Sequence, residues 1–308
     1  MMPEQSALAR LQRTGVLAAW GLALCCLWWW RERPLVAVAA VLALTTLHAW
    51  VLALEFALMA WQNRRDPAPC AGWRAMLGAW WVESHIAVWV FSWLQPFAWR
   101  RWPDTAVSDT DTDNATGGAR AVVLVHGFVC NRGLWTPWLR ELHRRGVPYA
   151  TVNLEPVFGS IDDYAPLIED AVARATAATG QPPLLVGHSM GGLAIRAWLR
   201  ASGAGTAQRV HHIVTLGTPH HGTWLARFSH LTNGQQMRVD GPWLRQLQAD
   251  EAASSYPAFT CWYSNTDNIV FPASTATLPG ADNRHIAGVP HVAMAFHPKV
   301  MADTLKLL

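Results

Sequence analysis

The segment Gly187-His188-Ser189-Met190-Gly191 constrains this chain more than any other. It follows the apolar run Pro183 to Val186 and opens a helix-like stretch from Leu193 to Arg200. A serine with glycines two residues to either side, set between strand and helix, reads as a sharp, strained turn that lifts a hydroxyl above a sheet. Such a turn presses the outgoing helix against the strand it has just left. Side chains at 187 and 191 would collide there, and glycine removes them. On this reading Gly192 adds slack. Glycine-rich turns are common, so Ser189 becomes a candidate nucleophile only through partners elsewhere in the chain.

From Ala121 onward, short β-branched runs alternate with helical spacing. The strands expected are Val122 to Val125, Tyr149 to Leu154, Leu184 to Val186, His212 to Leu216, Phe259 to Tyr263 and Arg284 to Ile286. Trp135 to Arg145 and Ile161 to Thr179 carry apolar residues on one helical face. This alternation predicts the α/β class, a mainly parallel sheet with helices on both faces. Functional residues on such sheets gather beyond the carboxyl ends of the strands.

A serine hydroxyl needs a base to take its proton. Among 13 histidines, His291 stands in a loop after the last expected strand, just ahead of the final helix. That is the place for the base when the chain order is serine, acid, histidine. His188 sits inside the turn itself, His126 follows the first strand, and His220 and His221 lie in a Thr-Pro-His-His-Gly-Thr loop. The acid that would orient the imidazole is expected at Asp267, just after the strand Phe259 to Tyr263. Asp240, Asp250, Glu251 and Asp282 are its rivals. The backbone N–H groups of Met190, after the serine, and of Phe128, after the first strand, are the candidate oxyanion donors.

Taken together, Val125-His126-Gly127-Phe128, the Ser189 pentapeptide, Leu216-Gly217-Thr218-Pro219-His220-His221-Gly222, and the stretch from Gly280 to His291 resemble bacterial triacylglycerol lipases of the α/β-hydrolase superfamily. The resemblance runs from about Ala121 to Val300. It implies a Ser189–Asp267–His291 triad, Phe128 and Met190 as oxyanion donors, and hydrolysis of lipid or other acyl esters through an acyl-enzyme. No cofactor is implied; a structural calcium near His291 is one further feature of such lipases. A thioesterase or acyltransferase would use the same triad, and a catalytically silent membrane scaffold is the rival from another class. Between Gly222 and Tyr256 lies an inserted segment rich in Trp, Leu and Phe, expected to be core in most of its length and an acyl-guiding cap in part.

The front third departs from the resemblance. It holds 13 of the 19 tryptophans and most of the long apolar runs. Gly15 to Trp30 is free of charge, and Leu35 to Trp61 carries only Glu55. As a helix the second run reaches about 40 Å, more than a bilayer core of roughly 30 Å. Residues 1–102 are therefore expected to form membrane-anchoring helices with two spans. A third apolar segment, Ala75 to Trp99, is interfacial or spanning. Residues 103–119 are expected as a flexible acidic linker and 120–308 as the catalytic domain. With two spans, the excess of Arg10, Arg13, Arg64, Arg65 and Arg74 over Arg31 and Arg33 predicts a catalytic domain on the cytoplasmic face of a bacterial inner membrane, whereas a third span would carry it outside. The net charge of +3 is scattered without a basic stripe, so no nucleic-acid partner is expected. Oligomeric state is open. Cys130 and Cys261 are expected as unpaired thiols rather than a disulfide, and His211, His212, His220 and His221 lack the ligand spacing of a zinc site.

Overall fold

The computed structural model describes residues 6–105, 120–203, 205–252 and 257–308. Six strands form one sheet: β1 Val122–Val125, β2 Tyr149–Val152, β3 Leu184–His188, β4 His212–Leu216, β5 Phe259–Tyr263 and β6 Asp282–His285. Their order is β2-β1-β3-β4-β5-β6, and every pair is parallel. The strands are apolar on both sides because both faces are covered. Val123, Leu185, Ile213 and Cys261 share one core layer with α5 (Ala165–Thr179), α6 (Met190–Ser202) and α8 (Pro242–Ala252). Val122, Leu124, Val186, Val214 and Trp262 share the other with α4 (Thr136–Arg144), α9 (His291–Met294) and α10 (Pro298–Leu305). The short α7 (Thr232–Gln236) lies in the insertion before α8.

Strand ends differ from expectation by a residue or two where pairing sets them. β3 runs on to His188 because that residue still pairs with Leu216, and β6 begins at Asp282, opposite Thr260. Asp282 is thus inside the strand it was expected to precede. The helices expected at Trp135 and Ile161 open with tighter 3-10 turns, Arg132–Trp135 and Ile161–Tyr164.

The front third folds as α1 (Ala7–Trp29), α2 (Pro34–Gln62) and α3 (Trp73–Trp89), the last continuing as a π-helical stretch from Val90 to Ala98. The wider π turn accommodates Pro96, which has no N–H to donate. By length and composition α1 and α2 are each able to cross a membrane, and both leave most of their surface exposed. The third apolar segment behaves differently. Val90 and Leu94 are buried in the core layer of α4, beside Leu134 and Trp135. Burial of each such side chain contributes about 2 kcal/mol. On the other side, Gln12 donates to Gln95 Oε1 at 2.9 Å and Trp80 Nε1 to the Ala49 carbonyl at 2.8 Å. The α3 unit is therefore packed between the α1–α2 hairpin and the sheet domain.

Further polar contacts join the two parts. Asn63 Oδ1 accepts from Ala273 N at 3.1 Å, Asp66 accepts from Ser274, and Asn265 Nδ2 donates to the Pro69 carbonyl at 2.9 Å. Phe56 and Met59 pack against Phe271. At the expected linker, the Asp104 side chain is 5% exposed and bound: it accepts from Arg132 at 2.7 Å, Arg174 at 2.9 Å and Thr151 N at 3.0 Å. Thr105 is tied to Tyr149. Residues 103–105 are thus pinned to β2, and the rest of the expected linker, 106–119, lies outside the described residues.

Candidate active site

Ser189 sits between β3 and α6 with φ +56°, a left-handed conformation that side chains avoid, and its N–H donates to the Leu216 carbonyl at 2.9 Å. The glycines around it are sterically required. A Cβ at 191 would stand 2.2 Å from the Val125 carbonyl oxygen, and one at 187 would stand 2.8 Å from Gly192 Cα. Gly192 is more than slack, because a Cβ there would meet Thr218 Oγ1 at 2.2 Å. Helix α6 is welded to β1, β3 and the loop after β4, and the serine has nowhere to go but up.

The residues expected as acid and base meet. His291 Nδ1 donates to Asp267 Oδ2 at 2.9 Å, and both residues are buried. Asp267 Oδ1 accepts from Ile269 N at 3.0 Å and Val270 N at 2.7 Å, which locks the carboxylate toward the imidazole. Gly217, at φ +55°, keeps the space between them open: its Cβ would lie 2.8 Å from Asp267 Oδ2 and 3.2 Å from His291 Nδ1. Because Ser189 N is bonded to the residue before Gly217, the serine turn and the imidazole share one wall. Among the described residues the Ser189 hydroxyl has no hydrogen-bond partner; such links are often long in an unliganded site. Burial pulls His291 toward the neutral form, but the Asp267 charge and hydrogen bond, with the charges of Glu83 and Glu55, raise it above the ordinary 6.5.

The donors expected for an oxyanion are placed around the serine. Met190 is the first residue of α6, where helix geometry leaves the N–H without an intrahelical acceptor. The loop carrying Phe128 closes over the serine so tightly that a Cβ at Gly127 would lie 2.7 Å from Ser189 Cβ. His126 holds this loop. Its Nε2 accepts from Leu154 N at 3.1 Å, so Nδ1 carries the proton and donates to the Gly127 carbonyl at 2.9 Å. Burial keeps it neutral, pushed down to about 4. His188 is fully enclosed, lowered to about 3 by burial, and donates to the His291 carbonyl at 3.1 Å with the two rings 4.7 Å apart. The positioning roles of His126 and His188 are invisible in the sequence.

The other candidates are occupied. Glu251 takes a bidentate bond from Arg196, whose guanidinium also donates to the His220 carbonyl at 3.0 Å. Asp250 is paired with Arg200, and Asp282 with Arg284. His220 is hydrogen-bonded to Thr215 Oγ1. Among the described residues, no group of three or more His, Cys, Asp or Glu side chains is placed to hold a metal. Cys130 and Cys261 are free and buried, with thiols pushed up to about 12 and about 11 by burial.

Two contributors come from outside the sheet domain. Glu83, in α3, is fully buried and accepts from Val292 N at 2.7 Å and Ala293 N at 3.1 Å. Glu55, in α2, accepts from Asn268 Nδ2 at 2.8 Å. A lone acid in an apolar segment is the one sequence signal that could have marked them.

A strained serine turn at the end of the third strand of a parallel sheet, on the same rim as a buried His–Asp pair, is a hydrolase-type arrangement. The chain belongs to the Alpha/beta hydrolase family, whose family model matches residues 122–304. Its fold is similar to that of Aspergillus fumigatus lipase B (TM-score 0.54, 20% identity, 61% of this chain and 52% of that one). It is also similar to Bacillus licheniformis lipase BlEst2 in its mature form (TM-score 0.52, 16% identity, 58% of this chain and 87% of that one). The chain thus spans about half the length of the Aspergillus enzyme. No curated protein matches the chain.

Proposed function

We propose that this protein is a membrane-embedded serine hydrolase that cleaves carboxylic esters of lipids through an acyl-enzyme. The observation that carries the reading is the buried Asp267–His291 hydrogen bond of 2.9 Å, set on the same rim of the sheet as the strained Ser189 turn. Asp267 holds the imidazole with Nε2 free as base. His291 takes the Ser189 proton as the oxygen attacks the ester carbonyl, and the Phe128 and Met190 amides receive the oxyanion. His291 then protonates the departing alcohol and activates the water that releases the acid.

Two features favour a lipid substrate. A cavity of about 490 Å³ runs between the first turn of α1 and the loop after β2, lined by Leu8, Leu11, Pro156, Val157 and Phe158, with Glu155 its one charged residue. Phe158 packs on Phe128, the oxyanion residue, at 6.0 Å between ring centroids. The second feature is the α1–α2 hairpin. Glu55, Phe56 and Met59 are engaged with the sheet domain. That leaves Pro34 to Leu54, roughly 31 Å of helix, close to the thickness of a bilayer core. The excess length of α2 is thus taken up by docking. With two spans and the arginine bias at their ends, the catalytic domain faces the cytoplasm at the inner membrane.

Ser189→Ala is expected to abolish hydrolysis of short-chain p-nitrophenyl esters while the thermal unfolding of the full chain in detergent is retained. Unchanged turnover in that variant would remove the assignment.

A further inference from the structure

The two carboxylates of the apolar front helices both end at the catalytic histidine. Glu83 takes the N–H groups of the two residues after His291, one with each oxygen, at 2.7 and 3.1 Å. Glu55 takes the Asn268 amide at 2.8 Å, and Asn268 Oδ1 in turn accepts the His291 N–H at 3.4 Å. Three consecutive N–H groups, at 291, 292 and 293, are thus held directly or through one amide by α2 and α3. These helices lie outside the 122–304 span that matches the family. Within the sheet domain, the carbonyl of His291 accepts from His188 Nε2 at 3.1 Å. A buried carboxylate at this depth is costly unless every oxygen finds a donor, and Glu83 finds both donors on the segment that carries the base.

Resting on the hydrolase reading above, we propose that Glu83, with Glu55 acting through Asn268, is a positioning residue for His291, so that the catalytic base is competent only when the apolar helices are docked. The groups facing the imidazole region are Asp267 from the loop after β5, Glu83 from α3, Glu55 from α2 and His188 from β3. His188 is held neutral; burial lifts Glu83 to about 7 against the pull of its two N–H donors and the His291 charge, so above that pH it adds its charge to that of Asp267 as the proton leaves Ser189. Loss of a front-helix carboxylate therefore has two consequences. The turn that aims His291 loosens, and the imidazolium formed during acylation is less favoured. A misplacement of about 1 Å can cost about 100-fold in rate.

The test uses the full chain in detergent, with a soluble p-nitrophenyl ester and a fluorophosphonate probe. Glu83→Gln keeps the size and one acceptor but removes the charge and sets an amide N–H against a backbone N–H. Its kcat is expected to fall about tenfold or more with KM within about twofold, and the acidic limb of the kcat/KM profile to move to lower pH. Glu55→Gln is expected to move the limb in the same direction with a smaller loss of kcat. A structural role alone lowers the amount of folded enzyme and leaves the limb in place, and that result overturns the inference, as does wild-type kcat in Glu83→Gln. Should Glu83→Gln fail to fold, the limb of Glu55→Gln decides. If the wild-type chain neither turns over ester nor takes the probe, the hydrolase reading itself has failed, which is a different outcome from an active wild type with indifferent Glu83.

Discussion

The turn that carries Ser189 and the turn that carries His291 stand on the same rim but are held in different ways. The serine turn is self-contained: its glycines clear backbone atoms of β1, β3 and α6, and its N–H is bonded to the neighbouring strand. The histidine turn is held by groups from distant parts of the chain, Asp267 and Asn268 after β5 and Glu83 from a helix some 200 residues earlier. One turn is enforced by sterics and cannot loosen without loss of the fold. The other is held by hydrogen bonds and charge, so it can lose function while the sheet stays intact.

That contrast sets the order of expected effects. Asp267→Asn strikes the histidine turn where charge matters most. It keeps the shape and an acceptor but loses the carboxylate that fixes the tautomer, and kcat should drop by about 10³ to 10⁴ with the unfolding midpoint little changed. An equal fall in both would blur the distinction. Gly191→Ala strikes the serine turn. With a Cβ 2.2 Å from the Val125 oxygen, backbone must move, and a loss of about 3 kcal/mol or more of stability is expected, read as loss of folded protein in denaturant or heat. Wild-type stability would mean that the packing of α6 on β1 is looser than described.

A milder effect is expected from pH. The raised His291 value means that the base is protonated, and the rate lost, as pH falls through a point above 6.5; a limb well below 6.5 would show that Asp267, Glu83 and Glu55 do not act together on the ring. The smallest effect should come from Glu155→Gln. Glu155 accepts from Ser6 Oγ at 2.9 Å and Ala7 N at 3.1 Å, anchoring the first turn of α1. Its loss should cost about 1 kcal/mol or less in unfolding experiments and leave the pH limb for a short p-nitrophenyl ester in place, unlike the carboxylates beside His291.

Much of the site was legible because its physics is local. The Gly187, Ser189 and Gly191 spacing encodes a steric demand within five residues, and the strand positions follow from short apolar runs. Asp267 was favoured by its place after β5, and the structure brings it to His291. What escaped the sequence is long-range. Nothing in the spacing of α3 says that Glu83 reaches Val292, 209 residues on, or that Glu55 reaches Asn268, 213 residues on. Gly192 looked like slack because its collision is with Thr218, in a loop brought close only by the pairing of β3 with β4. The third apolar segment read as membrane-facing because tryptophan suits an interface and a protein core alike; Val90 and Leu94 reveal the core side only once α4 is in place.

The most direct test is to treat the full chain with a fluorophosphonate and locate the adduct by peptide mass mapping. A single phosphonylated residue at Ser189, absent after prior protonation of His291 at low pH, is the expected result. An unreactive chain, or an adduct on another serine, would contradict a nucleophile lifted at 189 and served by His291.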